Sequence, residues 1–405
     1  MIALGAYITR SAYPWPPTSR GGRTGAATST ERITFAPRIA IGTSGGQLSR
    51  RGCDHLGGNV TMLEKRMNSL IVATCITSDR AAIIGDAVRS TRGIADVLLL
   101  VDVGITDATE DVARAAASEF GLQVIRVDAR PWKDCGYARQ AALDAASRAG
   151  GAWAITVDTD ERLESQGEDV RAVLMATSAD VLTAWHVTGS YAKERAIRLP
   201  PTGHWIGRVH ECYAHAGETA VFERLRFSEL EKEPAALLRR CREHDLPGLL
   251  AEIDAHRDDP RWHYYLGQTH ETIARLGEGT YDLAVDAYLR CAEISGHRQQ
   301  SAFACYRAAE CLGHLRRWPD ALRAALAGLE RDSCCAECAA YAALCCLQLG
   351  RPHEALAWAL AAKAVASVDT PVRGPWRHPA AYGRGPDAIA EAARKVIAEV
   401  TANGA

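Results

Sequence analysis

The stretch that decides the fold runs from Ala154 to Glu161 and reads AITVDTDE. Its apolar first half has the length and the Val and Ile content of a buried β-strand, and polar residues then stop the strand. Because side chains alternate along a strand, Asp158 and Asp160 are expected to point the same way. Two carboxylates at a strand end suit a divalent cation that bridges phosphate groups. The alternative is that these acidic residues begin a helix, whose dipole favours negative charge there.

From Ser69 onward, the surrounding sequence alternates between strand and helix patterns. Strands are predicted at 69–76, 96–102, 122–127 and 152–157, with helices at 81–91, 109–120 and 137–149. This alternation predicts a parallel sheet covered by helices on both faces, with ligands beyond the carboxyl ends of the strands. Asp102 ends the second strand and is therefore expected to face the same crevice as Asp158 and Asp160. Strand patterns between 181 and 227 are compatible with antiparallel strands that complete the sheet.

The sequence pattern of the second half of the chain predicts helices that recur in pairs. Three blocks each hold two helix patterns joined by a turn, at 262–294, 302–330 and 339–366. Equivalent alanines, Ala284, Ala321 and Ala355, are about 34 to 37 residues apart, which is the period of tetratricopeptide repeats. A last amphipathic helix at 387–400 is expected to cap the array.

Composition narrows the possible partners. The 405 residues are 47% hydrophobic and carry a net charge of -2, which favours neither nucleic acid nor an anionic membrane surface. No stretch approaches the roughly 20 apolar residues of a transmembrane helix, and no secretory signal is evident. We therefore expect a cytoplasmic protein with no nucleic-acid partner, and peripheral membrane association is left open. The Cys335-x-x-Cys338 pair is weak evidence for zinc, and packing inside a repeat is the alternative.

Residues 1–67 differ from everything that follows. They are rich in Gly, Ser, Thr, Pro and Arg and show no sustained strand or helix period. We expect this extension to be disordered, or to be translated from a start codon that is set too early. A basic arm and an organellar transit peptide are the other interpretations.

Four segments resemble motifs of the family 2 glycosyltransferases, and they follow one another in the family's order. They read VDVGITDAT at 101–109, WKDCGYARQ at 132–140, VDTDE at 157–161 and GHWIGRVHE at 203–211. The resemblance covers about Ser69 to Glu231. It implies a Rossmann-like α/β domain of the GT-A type at 68–231 that binds a nucleotide sugar. An all-α tetratricopeptide-repeat domain with a capping helix would then occupy 232–405.

The resemblance implies a metal centre and a catalytic base. Asp160 would ligate Mg²⁺ or Mn²⁺, and Asp158 would contact the metal or a ribose. His210 would be the third protein ligand, and Glu211 would accept the proton of the acceptor, with Glu161 as the rival base. Neighbouring residues on a strand face opposite sides, so His210 and Glu211 can serve one site only if a bulge or turn falls there.

The resemblance also implies nucleotide contacts. Asp102 and Asp107 would bind the base or ribose, and Arg139 would steady the base or the diphosphate. The alternative for Arg139 is a surface position on a helix near Asp134. Trp205 would line the sugar or acceptor pocket, or pack in the core. The chain departs from the family's usual residues at Thr77 to Arg80, Ile105 and Gln140.

Together these features predict a metal-dependent, inverting glycosyltransferase. It would move a sugar from a nucleotide-sugar donor, with uridine diphosphate as the expected nucleotide, to a protein, peptide or glycan acceptor recruited by the repeats. The alternative is a catalytically inactive nucleotide-binding repeat scaffold that mediates protein-protein interaction. A nucleotidyltransferase is a third possibility, but it would be expected to carry a Gly-rich basic loop after the first strand, which Thr77 to Arg80 is not.

Overall fold

The computed structural model describes residues 70–165, 169–189, 191–367 and 378–403. The predicted extension at 1–67 lies outside these residues. An eight-stranded sheet is followed along the chain by helices, so the predicted fold class, an α/β domain followed by an all-α region, is confirmed. The domain boundary at 231 and 232 stays a prediction.

Ten strands and four helices of the described residues lie in the first half. The strands are β1 (Ile71–Thr77), β2 (Val97–Asp102), β3 (Gln123–Asp128), β4 (Trp153–Thr156), β5 (Glu161–Ser165), β6 (Val181–His186), β7 (Ala192–Arg198), β8 (His204–Ile206), β9 (Cys212–Ala214) and β10 (Thr219–Glu229). The helices are α1 (Ile84–Arg89), α2 (Thr109–Ser118), α3 (Cys135–Arg148) and α4 (Val170–Ala176).

The sheet is parallel on one side and mixed on the other. Its strand order is β3-β2-β1-β4-β7-β6-β10-β5, and β8 pairs separately with β9. Strand β1 runs parallel to β2 and β4, and β2 runs parallel to β3, as the alternation of strands and helices predicts. Strand β7 is antiparallel to β4 and β6, and β5 is antiparallel to β10. The strands after residue 181 thus complete the sheet partly in antiparallel fashion.

The parallel strands β1, β2 and β4 are buried on both faces, which explains their continuous apolar sequences, whereas the edge strand β3 is largely exposed. Alternate side chains of β2 enter two different cores, as the period of two requires. Leu98 and Leu100 pack in the core that contains Ala113 of α2, whereas Leu99 packs with Leu143 of α3. Helices therefore cover β2 on both faces of the sheet.

Residues 158–161 do not begin a helix, so that alternative is wrong. They form a turn in which the Glu161 amide donates to the Asp158 carbonyl at 3.0 Å, and β5 begins at Glu161. The physical reason is pairing, because β5 forms an edge ladder with β10 in which Glu161 lies opposite Glu229.

The helical half contains ten α-helices among the described residues. They are α5 (Pro234–Arg240), α6 (Leu246–Ala255), α7 (Pro260–Arg275), α8 (Tyr281–Ile294), α9 (Arg298–His314), α10 (Trp318–Arg331), α11 (Ala336–Gln348), α12 (Pro352–Ser367), α13 (Pro379–Tyr382) and α14 (Gly385–Asn403), with a π-helical turn at Cys241–Asp245.

The three predicted helix pairs are α7 with α8, α9 with α10, and α11 with α12. Small residues let their helices approach closely: a Cβ on Gly267 would lie 2.7 Å from the Tyr288 ring. Cys338 is fully buried, and its thiol donates to the Ala302 carbonyl at 3.3 Å, which fits the packing interpretation of this residue. No helix within the described residues is long and apolar enough to cross a membrane. The cytoplasmic location stays a prediction.

Candidate functional site

The carboxyl ends of the parallel strands meet at one edge of the sheet. Thr77 at the end of β1 lies opposite Asp102 at the end of β2, and the turn with Asp158 and Asp160 follows β4 directly. This edge is where open α/β sheets bind ligands. The structure therefore brings the three aspartates to the predicted edge.

Asp102 is fully buried, and the chain itself uses both of its oxygens. Oδ1 accepts from the amides of Gly104 and Ile105, and Oδ2 accepts from Arg126. Burial works to raise the pKa of Asp102, but these donors outweigh it and lower the pKa below its ordinary value. Asp102 thus fixes the turn after β2, and its contact with a nucleotide stays a prediction.

Asp107 stabilises the start of α2. Its Oδ1 accepts from the Thr109 amide at 2.8 Å, and Oδ2 accepts from the Ala81 amide at 3.3 Å. The bond from the Ala81 amide ties the loop after β1 to the loop after β2. The nucleotide contact expected of Asp107 stays a prediction.

Glu161 holds the turn that carries the two aspartates of the motif. Its side chain is fully buried, and its two oxygens accept from Arg195 Nη1 and Nη2 at 2.6 Å each. Oε2 also accepts from the Asp158 amide at 3.0 Å. Burial works to raise the pKa of Glu161, but Arg195 and then Lys193 lower it well below its ordinary value. Both oxygens of Glu161 are thus used inside the chain to hold the turn, and its role as the rival base stays a prediction.

Arg139 joins two of the predicted motifs through one guanidinium group. Nη2 donates to Asp158 Oδ1 at 2.6 Å, and Nε donates to Glu211 Oε1 at 3.0 Å. The side chain of Arg139 is 12% exposed, so its alternative as a surface residue near Asp134 is wrong. Asp134 instead caps α3 by accepting from the Tyr137 amide at 2.7 Å.

The two carboxylates on Arg139 differ in their pKa. Burial works to raise the pKa of Glu211, but Arg139 outweighs it and the pKa falls below its ordinary value. For Asp158, burial outweighs Arg139 and the neighbouring charge of Glu161 adds to it, so the pKa is raised. Glu211 is therefore held ionised near neutral pH.

The segment at 203–211 is held between α3 and the helical half. The Gln140 side chain accepts from the Trp205 amide at 3.0 Å, and the Cys135 amide donates to the Arg208 carbonyl at 2.9 Å. Gly207 has φ +96°, and a Cβ there would lie 2.7 Å from the Trp262 ring of α7. This close approach explains the glycine. Gln140, which departs from the family's usual residue, thus links the second motif to the fourth.

Trp205 lies beside this site and also packs against the core. The Arg139 guanidinium lies 5.7 Å from the centre of its ring, and the Tyr213 ring meets it edge to face at 5.7 Å. The two roles considered for Trp205 are therefore compatible. A sugar contact stays a prediction.

His210 lies in a bend, and its φ of +50° places it in the left-handed region. This bend supplies the turn that His210 and Glu211 require if they are to serve one site. The His210 ring, however, stacks on Tyr265 of α7 at 4.2 Å, and its carbonyl accepts from Arg261. The structure thus brings Glu211 to Arg139 and directs His210 towards the helical half. His210 as a metal ligand stays a prediction.

We expect protonation of His210 to destabilise the fold. Burial lowers its pKa from 6.5 to about 4, so between these pH values an unfolded chain binds a proton that the folded chain does not. Stability therefore falls as the pH drops below 6.5, by about 2 kcal/mol at pH 5 from this residue. The His210→Asn variant tolerates the left-handed backbone but cannot titrate. The difference in melting temperature between the wild type and the variant should shrink from pH 7 to pH 5, and a constant difference would contradict this prediction.

Asp160 is paired with a lysine that the sequence does not single out. Lys232 Nζ lies 2.8 Å from Asp160 Oδ2, and the Leu230 amide donates to the Asp160 carbonyl at 2.7 Å. Lys232 precedes α5 in the segment that connects the sheet to the helices. The pairing places an ammonium group against one of the predicted metal ligands.

The donor chemistry at the turn fits a divalent cation. Asp158 and Asp160 supply hard carboxylate oxygens, the ligands that Mg²⁺ and Mn²⁺ prefer, and in this structure Arg139 and Lys232 pair with them. Within the described residues, no three or more His, Cys, Asp and Glu side chains are grouped to hold a metal ion. The predicted set of three, with His210, is thus not assembled here, because His210 stacks on Tyr265.

Sequence reasoning missed several residues that build the site. Lys193 and Arg195 of β7 both pair with Glu161, and their spacing of two residues in a strand pattern is a signal that could have identified them. Glu252 of α6 accepts from the Arg208 amide at 2.8 Å, and no local pattern predicts that contact. Lys232 likewise lies in a polar connecting segment without a motif.

Comparisons with known proteins do not assign a family. No protein-family model and no curated protein matches this chain. Glucosyl-3-phosphoglycerate synthase from Mycobacterium tuberculosis, in complex with Mg²⁺ and uridine diphosphate, is 21% identical over 35% of this chain and 51% of its own, with a TM-score of 0.23. MamA is 10% identical over 42% of this chain and 99% of its own, with a TM-score of 0.26. This chain thus spans about half of the synthase, and TM-scores this low carry no argument about its function.

Proposed function

We propose that this chain is a metal-dependent, inverting glycosyltransferase of the GT-A type that takes its sugar from a nucleotide-sugar donor, with uridine diphosphate as the expected nucleotide. The observation that carries the proposal is the guanidinium of Arg139, which lies between Asp158 and Glu211. These two acids come from separate motifs of the family resemblance, and the resemblance places both at the reacting centre. Because Asp158 and Glu211 both pair with the Arg139 guanidinium, their contacts support the assignment of the two motifs to one site.

Each residue of the proposed site would have a separate role in sugar transfer. Asp158 and Asp160 would hold Mg²⁺ or Mn²⁺, which supplies a Lewis acid that neutralises the diphosphate leaving group. Glu211, which Arg139 holds ionised, would accept the proton from the acceptor. Attack from the face opposite the leaving group then inverts the configuration in a single displacement. Trp205 would form one wall of the sugar pocket.

The helical half would select the acceptor. Its paired helices resemble tetratricopeptide repeats, whose concave surfaces bind extended peptides. A protein, peptide or glycan acceptor is consistent with this arrangement. The segment at 207–211 packs directly on α6 and α7, so an acceptor held by these helices would lie close to Glu211.

We expect Asp160→Ala to lower metal-dependent turnover of nucleotide sugars by about 100-fold, because one of two carboxylate ligands is lost. The measurement is hydrolysis of a panel of nucleotide sugars with Mn²⁺ or Mg²⁺. Asp254→Ala is the control, since Asp254 is an exposed acid that pairs with Arg257 in the helical half. Turnover that is equal in Asp160→Ala and the wild type would exclude the metal role. Absence of turnover with every donor would exclude the enzyme.

The catalytically inactive scaffold is the second candidate, and one observation favours it. Asp158 and Asp160 already have counter-ions from the chain, in Arg139 and Lys232. A site neutralised in this way could bind a nucleotide without turnover. Nucleotide binding in the absence of hydrolysis would support the scaffold.

A further inference from the structure

The segment that connects the sheet to the helices crosses the predicted metal site. It leaves β10 at Glu229, and the Leu230 amide then donates to the Asp160 carbonyl at 2.7 Å. Two residues later, Lys232 Nζ reaches Asp160 Oδ2 at 2.8 Å, and α5 begins at Pro234. The first part of the helical half is thus attached to Asp160 by one backbone bond and one ion pair.

The three acids of the site are balanced by cations of the chain itself. Arg139 pairs with Asp158 and Glu211, and Lys232 pairs with Asp160. A divalent cation that binds Asp160 must therefore compete with an ammonium group that is already in contact with it.

Arg240 of α5 pairs with Asp245, with its Nε 3.4 Å from Oδ1. Burial works to lower its pKa, but Asp245 raises it, and the charges of Glu211 and Asp160 contribute to the net increase. The helical half therefore supplies one direct cationic partner to the predicted metal site, Lys232, whereas Arg240 acts on it only through its charge at longer range.

The ion pair between Lys232 and Asp160 is suited to replacement of the ammonium group by another cation. The side chains of Lys232 and Asp160 are 32% and 25% exposed, so water screens the pair and its contribution is modest. The ammonium group is a compact charge on a flexible side chain and can leave without movement of the backbone. The bond from Leu230 to the Asp160 carbonyl does not depend on the Lys232 side chain and can keep the segment in place.

We propose that Lys232 is the chain's own counter-cation for Asp160 and competes with a divalent metal ion for this carboxylate. Occupancy of the metal site then releases the Lys232 side chain from Asp160. The response is confined to the Lys232 side chain, because the bond from the Leu230 amide to the Asp160 carbonyl can hold the backbone in place. The proposal rests on the metal role assigned to Asp160 under the proposed function, but it does not require glycosyl transfer.

The test measures Mn²⁺ affinity on the full chain without a donor, by electron paramagnetic resonance of free Mn²⁺. Lys232→Met removes the competing charge, and we expect it to bind Mn²⁺ about tenfold more tightly than the wild type. Lys232→Arg keeps the charge and should stay close to the wild type. Lys363→Met is the matched control, since it removes a lysine that pairs with an aspartate, Asp387, in the capping region.

Each outcome decides the proposal. Tighter binding in Lys232→Met alone, abolished when Asp160→Ala is added, supports it. Equal or weaker binding in Lys232→Met overturns it, as does an equal gain in Lys363→Met. Absence of Mn²⁺ binding in every variant also overturns it, whereas the glycosyltransferase proposal is decided separately by turnover of nucleotide sugars.

Discussion

Arg195→Met is expected to lower the free energy of unfolding of the sheet by about 3 to 5 kcal/mol, the largest stability effect that we predict. Arg195 is 1% exposed, and both of its terminal nitrogens donate to Glu161, which is fully buried. Removal of the guanidinium leaves a buried carboxylate with Lys193 as its remaining cationic partner. The loss of stability arises because the buried Glu161 carboxylate has lost its hydration and, without Arg195, most of the pairing that compensates for it.

Urea unfolding of the full chain, followed by circular dichroism, measures this effect. Arg171→Met is the matched control, because Arg171 pairs with the exposed Asp96 and should lose less than about 1 kcal/mol. The double variant Glu161→Leu with Arg195→Met removes both charges and should recover part of the loss. A loss below about 1 kcal/mol in Arg195→Met would show that the buried pair is not required.

The same pair explains why the turn at 158–161 could be recognised but not fully interpreted from the sequence. The apolar strand and the alternation of two aspartates are local patterns, and they placed Asp158 and Asp160 at the correct sheet edge. The role of Glu161 depends on Arg195, which lies on another strand. The helix-start alternative failed because it considered only the neighbours of Glu161 along the chain.

The helical half shows the same limit. The period of the repeats predicts three helix pairs, because each pair packs mainly against its neighbours in sequence. The contacts of α6 and α7 with the segment at 207–211 join positions far apart in the chain. Lys232 and Glu252 therefore have no signature in their own sequence surroundings, and only the folded chain assigns them to the site.

Arg139→Met is expected to lower turnover by about 1,000-fold under the proposed function, the largest effect that we predict on activity. The guanidinium of Arg139 orients Asp158 and Glu211 at once, with contacts of 2.6 Å and 3.0 Å. Without it, two acids lose their shared counter-ion and the geometry of both motifs. The effect should appear mainly in kcat, because the donor retains its other contacts.

Arg139→Lys separates charge from geometry. A lysine keeps the positive charge but cannot present two fixed donors to two carboxylates, so its turnover should fall between those of Arg139→Met and the wild type. The pH profile gives a second readout: without the guanidinium that lowers it, the pKa of Glu211 should rise, and the residual activity of Arg139→Met should therefore increase towards higher pH. A loss of activity with an unchanged pH profile would show that Arg139 acts only on the fold. Equal turnover in all three proteins would instead remove Arg139 from the mechanism, and with it the link between the two motifs on which the assignment of Glu211 as the base depends.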